Sequence, residues 1–258
     1  MAGRSNDRRN SSSKGLLSDV SFLYLIRHAQ AGPRHNYDTL SEIGQQQARL
    51  LGTYLANRLT SLSAIITGTL ERHRRTAELV TREICRHGKL VAPPTVDCRW
   101  NEFILAELYQ HYGPRMAKEN PDYAGDYLAM ERELEQDPHN TRGATGRCDA
   151  AMVRAWIENR YPDCSVQTWA DFRETVQSGL AALCHFGKRE QLAVFTSAGP
   201  VSVTAAAALG LTNDKILGLL AAQYNCSLST FRIIGSSLSM YSFNEIAYLA
   251  EPELRTYR

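Results

Sequence analysis

Three short apolar runs divide this chain, and each is followed by small residues and then by a helical pattern. The runs are residues 22–26 (FLYLI), 64–67 (AIIT) and 192–196 (LAVFT). An apolar run of this length is typical of a strand buried on both faces, and strands that alternate with helices form parallel sheets. We therefore predict an α/β fold of three layers, in which a mostly parallel central sheet carries helices on both faces.

The elements between and after these runs fit the same fold. Residues 41–55 have apolar side chains at near-helical spacing, with Ser41 as the natural N-cap, and residues 70–80 form a second helical pattern. Residues 228–233 and 238–243 flank a short stretch of Gly and Ser. That pattern predicts a β-hairpin near the C-terminus.

The chain has 258 residues, 43% of them hydrophobic, which is enough for one large domain. We assign residues 18–258 to this single domain. Residues 1–17 are expected to be a disordered tail, since the N-terminal stretch is rich in Ser, Arg and Asn and too poor in apolar side chains to fold alone. Between about residues 93 and 165 the strand pattern gives way to helical patterns, which predicts an inserted helical cap.

The composition limits the classes of partner that this chain is expected to bind. The formal net charge is only +2, so no overall field favours nucleic acid or an anionic membrane, and no segment approaches the apolar length of a membrane span. The six cysteines are scattered without the spacing of a zinc site, so we expect reduced thiols, a cytoplasmic protein and no metal. The sequence leaves a homodimer open.

The dipeptide Arg27-His28 stands where the first apolar run ends. Open α/β sheets bind ligands just beyond the carboxyl ends of such strands. A neutral imidazole can attack phosphorus, while a planar guanidinium binds two phosphoryl oxygens at once. The pair therefore indicates a phosphoryl-binding site with His28 as the nucleophile. The alternative is that both side chains face solvent, because a dipeptide match is often accidental.

Three ordered motifs carry a family resemblance. They are residues 25–30 (LIRHAQ), 40–48 (LSEIGQQQA) and 67–77 (TGTLERHRRTA). In this order the chain resembles the histidine phosphatase superfamily, which includes the phosphoglycerate mutases, over most of residues 22–243. The resemblance implies a phosphoglycerate mutase-like fold and phosphoryl transfer through a phosphohistidine, with no cofactor.

The resemblance also implies roles for particular residues. His28 would become the phosphohistidine, and Arg27 and Arg72 would clamp the phosphoryl oxygens. Glu102, in the cap-region sequence WNEF, would protonate the leaving alkoxide. From the residues alone, Arg72 could instead belong to a solvated basic helix face, and Glu102 could be a surface residue at a helix start.

The chain departs from the family at the second catalytic histidine. Residues 196–200 are TSAGP, so Ser197 stands where family members usually have His. We interpret this variant as a subgroup trait and expect a neutral, shorter hydrogen-bond donor there. His73, beside Arg72, or His35, in the loop after the nucleophile, could supply the missing imidazole. The phosphate-binding side chains expected outside the catalytic set are Gln30, Ser197, Ala198, His73 and His35.

The sequence therefore predicts a metal-independent phosphomonoester hydrolase for a small phosphorylated substrate. A phosphoglycerate mutase-like phosphotransferase and a noncatalytic phospholigand-binding module are the alternatives. Both the enzyme and the binding module require that the predicted catalytic side chains share one pocket. These side chains are His28, Arg27, Arg72 and Glu102.

Overall fold

The computed structural model describes residues 19–33 and 36–257. In chain order its strands are β1 (Ser21–Arg27), β2 (Ser61–Leu62), β3 (Ala64–Thr67), β4 (Leu90–Val91), β5 (Pro94–Val96), β6 (Gln191–Thr196), β7 (Leu228–Ile234) and β8 (Ser237–Glu245). Six of them form a sheet of order β5-β3-β6-β1-β7-β8, and β2 pairs with β4 separately. Strands β5, β3, β6 and β1 are parallel, whereas β7 is antiparallel to both β1 and β8.

The helices follow the alternation that the sequence predicts. They are α1 (Glu42–Ala56), α2 (Glu71–Arg86), α3 (Leu105–Glu119), α4 (Pro121–Gln136), α5 (Gly143–Ile157), α6 (Trp169–Leu183), α7 (Ala198–Leu209) and α8 (Asn213–Ala222). Each of the three predicted apolar runs is a strand followed by a helix of this series. The predicted hairpin is β7–β8, and Gly235 in its turn has a φ of 61°, a conformation that glycine adopts without strain.

The core has two parts because successive side chains of a strand point to opposite faces of the sheet. Leu25 and Val194 belong to the cluster that includes buried residues of α6 and α7. Ile26 and Phe195 belong to the cluster that includes buried residues of α1 and α2. The predicted three-layer α/β fold, with a mostly parallel sheet, is therefore confirmed.

The segment between β5 and α6 carries helices α3, α4 and α5, which pack against one another. The prediction that residues 93–165 contain no strand is wrong at Pro94–Val96, which form β5 at the sheet edge. All three residues of β5 are exposed, so they lack the buried apolar pattern by which the other strands were recognised.

Two predictions concern residues outside the described ranges: the tail of residues 1–17 and His35. The six cysteines are all described and form no disulfide. Among the helices described, none combines the length and apolar character needed to cross a membrane.

The sheet register determines which loops meet. Arg27 pairs with Thr196 across the parallel β1–β6 ladder, and Thr67 of β3 pairs with Phe195 of β6. The residues that follow these strands therefore leave the sheet side by side at its carboxyl edge. His28, Gly68 and Ser197 are the first of them.

Candidate active site

The His28 ring is fixed by its own loop. Nδ1 lies 2.8 Å from the backbone oxygen of Ala29, and since a carbonyl only accepts, Nδ1 carries the hydrogen. The Nε2 lone pair is therefore available for nucleophilic attack when the ring is neutral. Burial, followed by the charges of Arg72 and Arg27 and the neighbouring His73, holds the pKa of His28 well below 6.5. The ring is thus neutral at neutral pH, as a nitrogen nucleophile must be.

Helix α1 supports the loop that follows His28. The backbone N–H of Gln30 donates to Gln47 Oε1 at 2.8 Å, and Ser41 Oγ donates to Gln30 Oε1 at 2.7 Å. A Cβ on Gly44 would lie 2.2 Å from the Gln30 backbone oxygen, so only glycine lets α1 approach this closely. Gln30 was predicted to bind phosphate; in the structure its side-chain oxygen is bonded to Ser41.

Arg27 is held by two backbone carbonyls from distant parts of the chain. Its Nη1 donates to the Gln223 oxygen at 2.5 Å and its Nη2 to the Tyr257 oxygen at 2.7 Å. Gln223 is itself fixed, because its Nε2 donates to the Ala198 oxygen at 3.0 Å and to Ser202 Oγ at 2.8 Å. The guanidinium is buried and oriented before any ligand binds.

Arg72 lies in the first turn of α2 and is also buried. Its Nη1 donates to Asp38 Oδ1 at 2.9 Å, and its guanidinium carbon lies 4.9 Å from the centre of the Tyr37 ring. In the described part of the chain, the Nε atoms of Arg27 and Arg72 are buried without a hydrogen-bond partner. The solvated-surface alternative for Arg72 is therefore wrong.

Glu102 lies near the same two guanidiniums, those of Arg27 and Arg72. Its Oε2 accepts from the Gly199 backbone N–H at 3.1 Å and its Oε1 from that of Phe103 at 3.2 Å. Burial raises the pKa of Glu102, while the Gly199 N–H, Arg72 and Arg27 oppose the rise. A Cβ on Gly199 would lie 2.1 Å from Glu102 Oε1, so glycine is needed for the carboxyl group to reach this position.

The chain on either side of Glu102 is tied to the strand ends. Thr196 Oγ1 donates to the Trp100 backbone oxygen at 2.5 Å. Asn101 Oδ1 accepts from the Thr69 backbone N–H at 2.7 Å, and Asn101 Nδ2 donates to Thr69 Oγ1 at 2.8 Å. These bonds set Glu102 at the edge of the sheet where β3 and β6 end.

His73 and Ser197 form a buried pair. His73 Nε2 lies 2.7 Å from Ser197 Oγ, and both side chains are fully buried. The His73 ring centre lies 5.7 Å from that of His28. Burial, followed by the charge of Arg72, holds the pKa of His73 well below 6.5, so this imidazole is neutral too. Gly68 leaves room for it, since a Cβ there would lie 2.3 Å from His73 Nδ1.

The structure brings most of the predicted side chains to one edge of the sheet. Arg27, Arg72 and His73 each affect the pKa of His28, and both arginines affect that of Glu102. Ser197 joins this group through its bond to His73. Among the described residues, no group of three or more His, Cys, Asp or Glu side chains is placed to hold a metal ion.

Several residues that complete the site are not predicted from the sequence. Gln223 and Tyr257 act through backbone oxygens, for which side-chain motifs carry no signal. Asn101 and Gly199 stand next to predicted residues, and their polar or small side chains were available signals. Asp38 lies two residues before the second motif, and nothing in its local sequence singles it out.

The comparison with known families identifies the chain. The model of the histidine phosphatase superfamily, branch 1, matches residues 23–152, just over half of the 258 residues. The chain therefore belongs to the histidine phosphatase superfamily, as the sequence resemblance implied. No curated protein matches it in sequence.

Solved structures show the same fold in distant proteins. Phosphoglycerate mutase from Bacillus anthracis str. Sterne has 13% identity over 92% of this chain and 98% of its own, with a TM-score of 0.56. A phosphoserine phosphatase mutant from Entamoeba histolytica, in complex with phosphoserine, has 13% identity over 89% and 99%, with a TM-score of 0.57. A mycobacterial glucosyl-3-phosphoglycerate phosphatase has 19% identity over 88% and 99%, with a TM-score of 0.52.

Proposed function

We propose that this protein is a metal-independent phosphomonoester hydrolase that acts on a small phosphorylated metabolite through a phosphohistidine at His28. The observation that carries the proposal is the state of the His28 ring. Its Nδ1 hydrogen is bonded to the Ala29 oxygen, so a neutral Nε2 lone pair stands beside the buried guanidiniums of Arg27 and Arg72. A nucleophile next to two fixed cations is suited to a phosphoryl dianion.

The reaction would proceed in two displacements. In the first, His28 Nε2 forms a bond to phosphorus, the ester P–O bond breaks, and the Glu102 carboxyl group gives its proton to the leaving oxygen. In the second, the Glu102 carboxylate takes a proton from water as that water attacks phosphorus, and the N–P bond breaks. The products are the alcohol and inorganic phosphate, and the raised pKa of Glu102 suits both of its roles.

Arg27 and Arg72 would stabilise the charge on the phosphoryl oxygens during both displacements. Of the two, Arg27 is set in advance by the carbonyls of Gln223 and Tyr257, so its guanidinium needs little reorganisation. Their buried Nε hydrogens lack acceptors in the described part of the chain, and phosphoryl oxygens would provide acceptors for them.

His73 would take the role of the second histidine that Ser197 replaces. We assign the hydrogen of His73 to Nε2, because an orphaned buried donor at Nδ1 would be less tolerable than an orphaned acceptor. His73 then donates to Ser197 Oγ, and the Ser197 hydroxyl is left to donate to a phosphoryl oxygen. The TSAGP variant would thus retain an imidazole, supplied by α2 instead of the loop after β6.

The substrate class rests on the family. The structural neighbours include enzymes named for phosphoserine and glucosyl-3-phosphoglycerate, which are small phosphorylated metabolites. The noncatalytic alternative drew its support from the loss of the second histidine. The buried His73–Ser197 pair weakens that support, because an imidazole lies near His28 after all.

The proposal is tested by turnover of an aryl phosphate and a panel of phosphorylated metabolites in the presence of EDTA. Wild type should release phosphate, and His28→Ala should not. His87→Ala is the matched control, since His87 is an exposed residue at the end of α2. Wild type that binds vanadate but turns over no substrate would favour the noncatalytic phospholigand module.

A further inference from the structure

Arg72 is already paired with a carboxylate of the same chain, that of Asp38. Asp38 Oδ1 accepts from Arg72 Nη1 at 2.9 Å, and Asp38 Oδ2 accepts from the Glu71 backbone N–H at 3.0 Å. Asp38 therefore contacts both the guanidinium and the first turn of α2. Its side chain is 51% exposed, whereas that of Arg72 is 8% exposed.

Tyr37, the residue before Asp38, also contacts side chains of the candidate active site. Its ring is stacked 4.9 Å from the Arg72 guanidinium carbon and meets the His28 ring edge-on, with 6.2 Å between ring centres. Its side chain is also hydrogen-bonded to Arg27. Tyr37 and Asp38 together thus occupy donors or faces of three of the four side chains that the proposed reaction requires.

In the proposed complex a phosphoryl dianion contacts the same guanidinium that Asp38 already pairs with. A carboxylate and a phosphoryl group cannot both approach Arg72 Nη1 closely without mutual repulsion. An ion pair with a half-exposed carboxylate contributes little free energy, so a better-matched dianion can displace it.

We propose that Asp38 is an internal competitor of the substrate's phosphoryl group for Arg72. Binding of the phosphoryl group would require Asp38 to give up its ion pair, so this residue lowers the affinity for phosphomonoesters and selects ligands with the full charge of a dianion. The inference rests on the proposed function, because it assigns Arg72 to the phosphoryl group.

The opposite role would arise from the same contacts. If Asp38 served only to hold Arg72 in position, its removal would weaken phosphate binding. If Asp38 competes, its removal strengthens phosphate binding. The sign of the change therefore decides between the two roles.

Asp38→Asn is the suitable change, since it removes the charge and keeps an oxygen that can accept from the Glu71 N–H. We expect inorganic phosphate, measured by calorimetry, to bind about two- to fivefold more tightly to this variant, the factor that a partly exposed ion pair is worth. The KM for an aryl phosphate should fall by a similar factor.

Glu71→Gln is the matched control. Glu71 carries the same charge one residue from Arg72, but its side chain is exposed and paired with Arg74. Phosphate affinity should change less in this variant than in Asp38→Asn. Equal gains in both variants would reduce the effect to general electrostatics and overturn the inference.

The inference and the proposed function fail in different ways. Phosphate that binds to wild type and binds equally or more weakly to Asp38→Asn overturns the inference and leaves the hydrolase proposal standing. Tighter binding by Asp38→Asn without any turnover supports the inference and overturns the proposal that the protein is a hydrolase. If neither form binds phosphate, both fail.

Discussion

The Nε2 atom of His73 lies 2.7 Å from the hydroxyl oxygen of Ser197, and no solvent reaches either side chain. This bond connects the first turn of α2 to the residue that follows β6. Both residues adjoin His28: Ser197 follows the strand beside β1, and the His73 ring centre is 5.7 Å from that of His28. The two side chains are therefore expected to act as one unit.

A double-mutant cycle tests this unit. His73→Ala and Ser197→Ala should each lower kcat by about 100-fold or more, as removal of one preorganised donor does. The double variant should lose little beyond the larger single loss, because one chain of hydrogen bonds is broken in every case. Losses that multiply would mean that His73 and Ser197 act independently.

Gly199 should be needed for general acid catalysis. Gly199→Ala would displace the Glu102 carboxyl group, since the new Cβ would lie 2.1 Å from Glu102 Oε1. For alkyl phosphates we expect kcat/KM, which reports the phosphorylation step, to fall by about 100-fold, within the range of one general acid. For aryl phosphates with good leaving groups the loss in kcat/KM should be much smaller, because their oxygen needs no proton.

Gly218→Ala is the control for that change. Gly218 lies within α8 and a Cβ there meets nothing within 4 Å, so this variant should keep full activity toward both kinds of substrate. A loss in Gly199→Ala that is equal for alkyl and aryl phosphates would show general damage and not displacement of an acid.

The dependence of kcat/KM on pH should reflect His28 and Glu102. His28 must be neutral, and its lowered pKa puts the acid limb below pH 6.5. Glu102 must be protonated, and its raised pKa puts the alkaline limb above pH 4.5. Glu102→Gln should remove the alkaline limb, while the ionisation of the substrate is common to both profiles. If the assignment is right, the ratio of wild-type to variant kcat/KM keeps an alkaline limb; a ratio that is flat at alkaline pH would contradict it.

Stability should fall in mild acid because of the buried histidines. The folded-state pKa values of His28 and His73 lie below 6.5, so the unfolded chain binds protons first as the pH drops. Each histidine then removes up to about 1.4 kcal/mol of unfolding free energy per pH unit below 6.5. Urea denaturation at pH 7 and pH 5.5 should show a smaller loss for His28→Asn than for wild type. An equal loss would mean that His28 is not held neutral by the fold.

The fold and the grouping of Arg27, His28 and Arg72 were predictable because their signals are local in sequence. Apolar runs mark buried strands, and the motifs around Arg27, His28 and Arg72 lie within a few residues of the elements that position them. Strand β5 was not predictable, because a three-residue exposed edge strand has no buried pattern.

Other features depend on contacts between distant parts of the chain. Arg27 is held by the carbonyls of Gln223 and Tyr257, which are 196 and 230 residues away. The partnership of Asp38 with Arg72 depends on how one loop packs against the first turn of α2. Such relationships follow from the tertiary fold. Neighbouring residues such as Arg72 and His73 lie about 100° apart on a helix, so their sequence positions do not tell which site each side chain faces.

The most direct test of the central claim is to trap the phosphorylated enzyme. Glu102→Gln should be mixed with an aryl phosphate that has a good leaving group, quenched in alkaline denaturant and analysed by peptide mass spectrometry. Without the carboxylate to activate water, the intermediate should accumulate, with one phosphoryl group on His28 and none in His28→Ala. Turnover by wild type with no phosphohistidine, or with the phosphoryl group on another residue, would contradict the account.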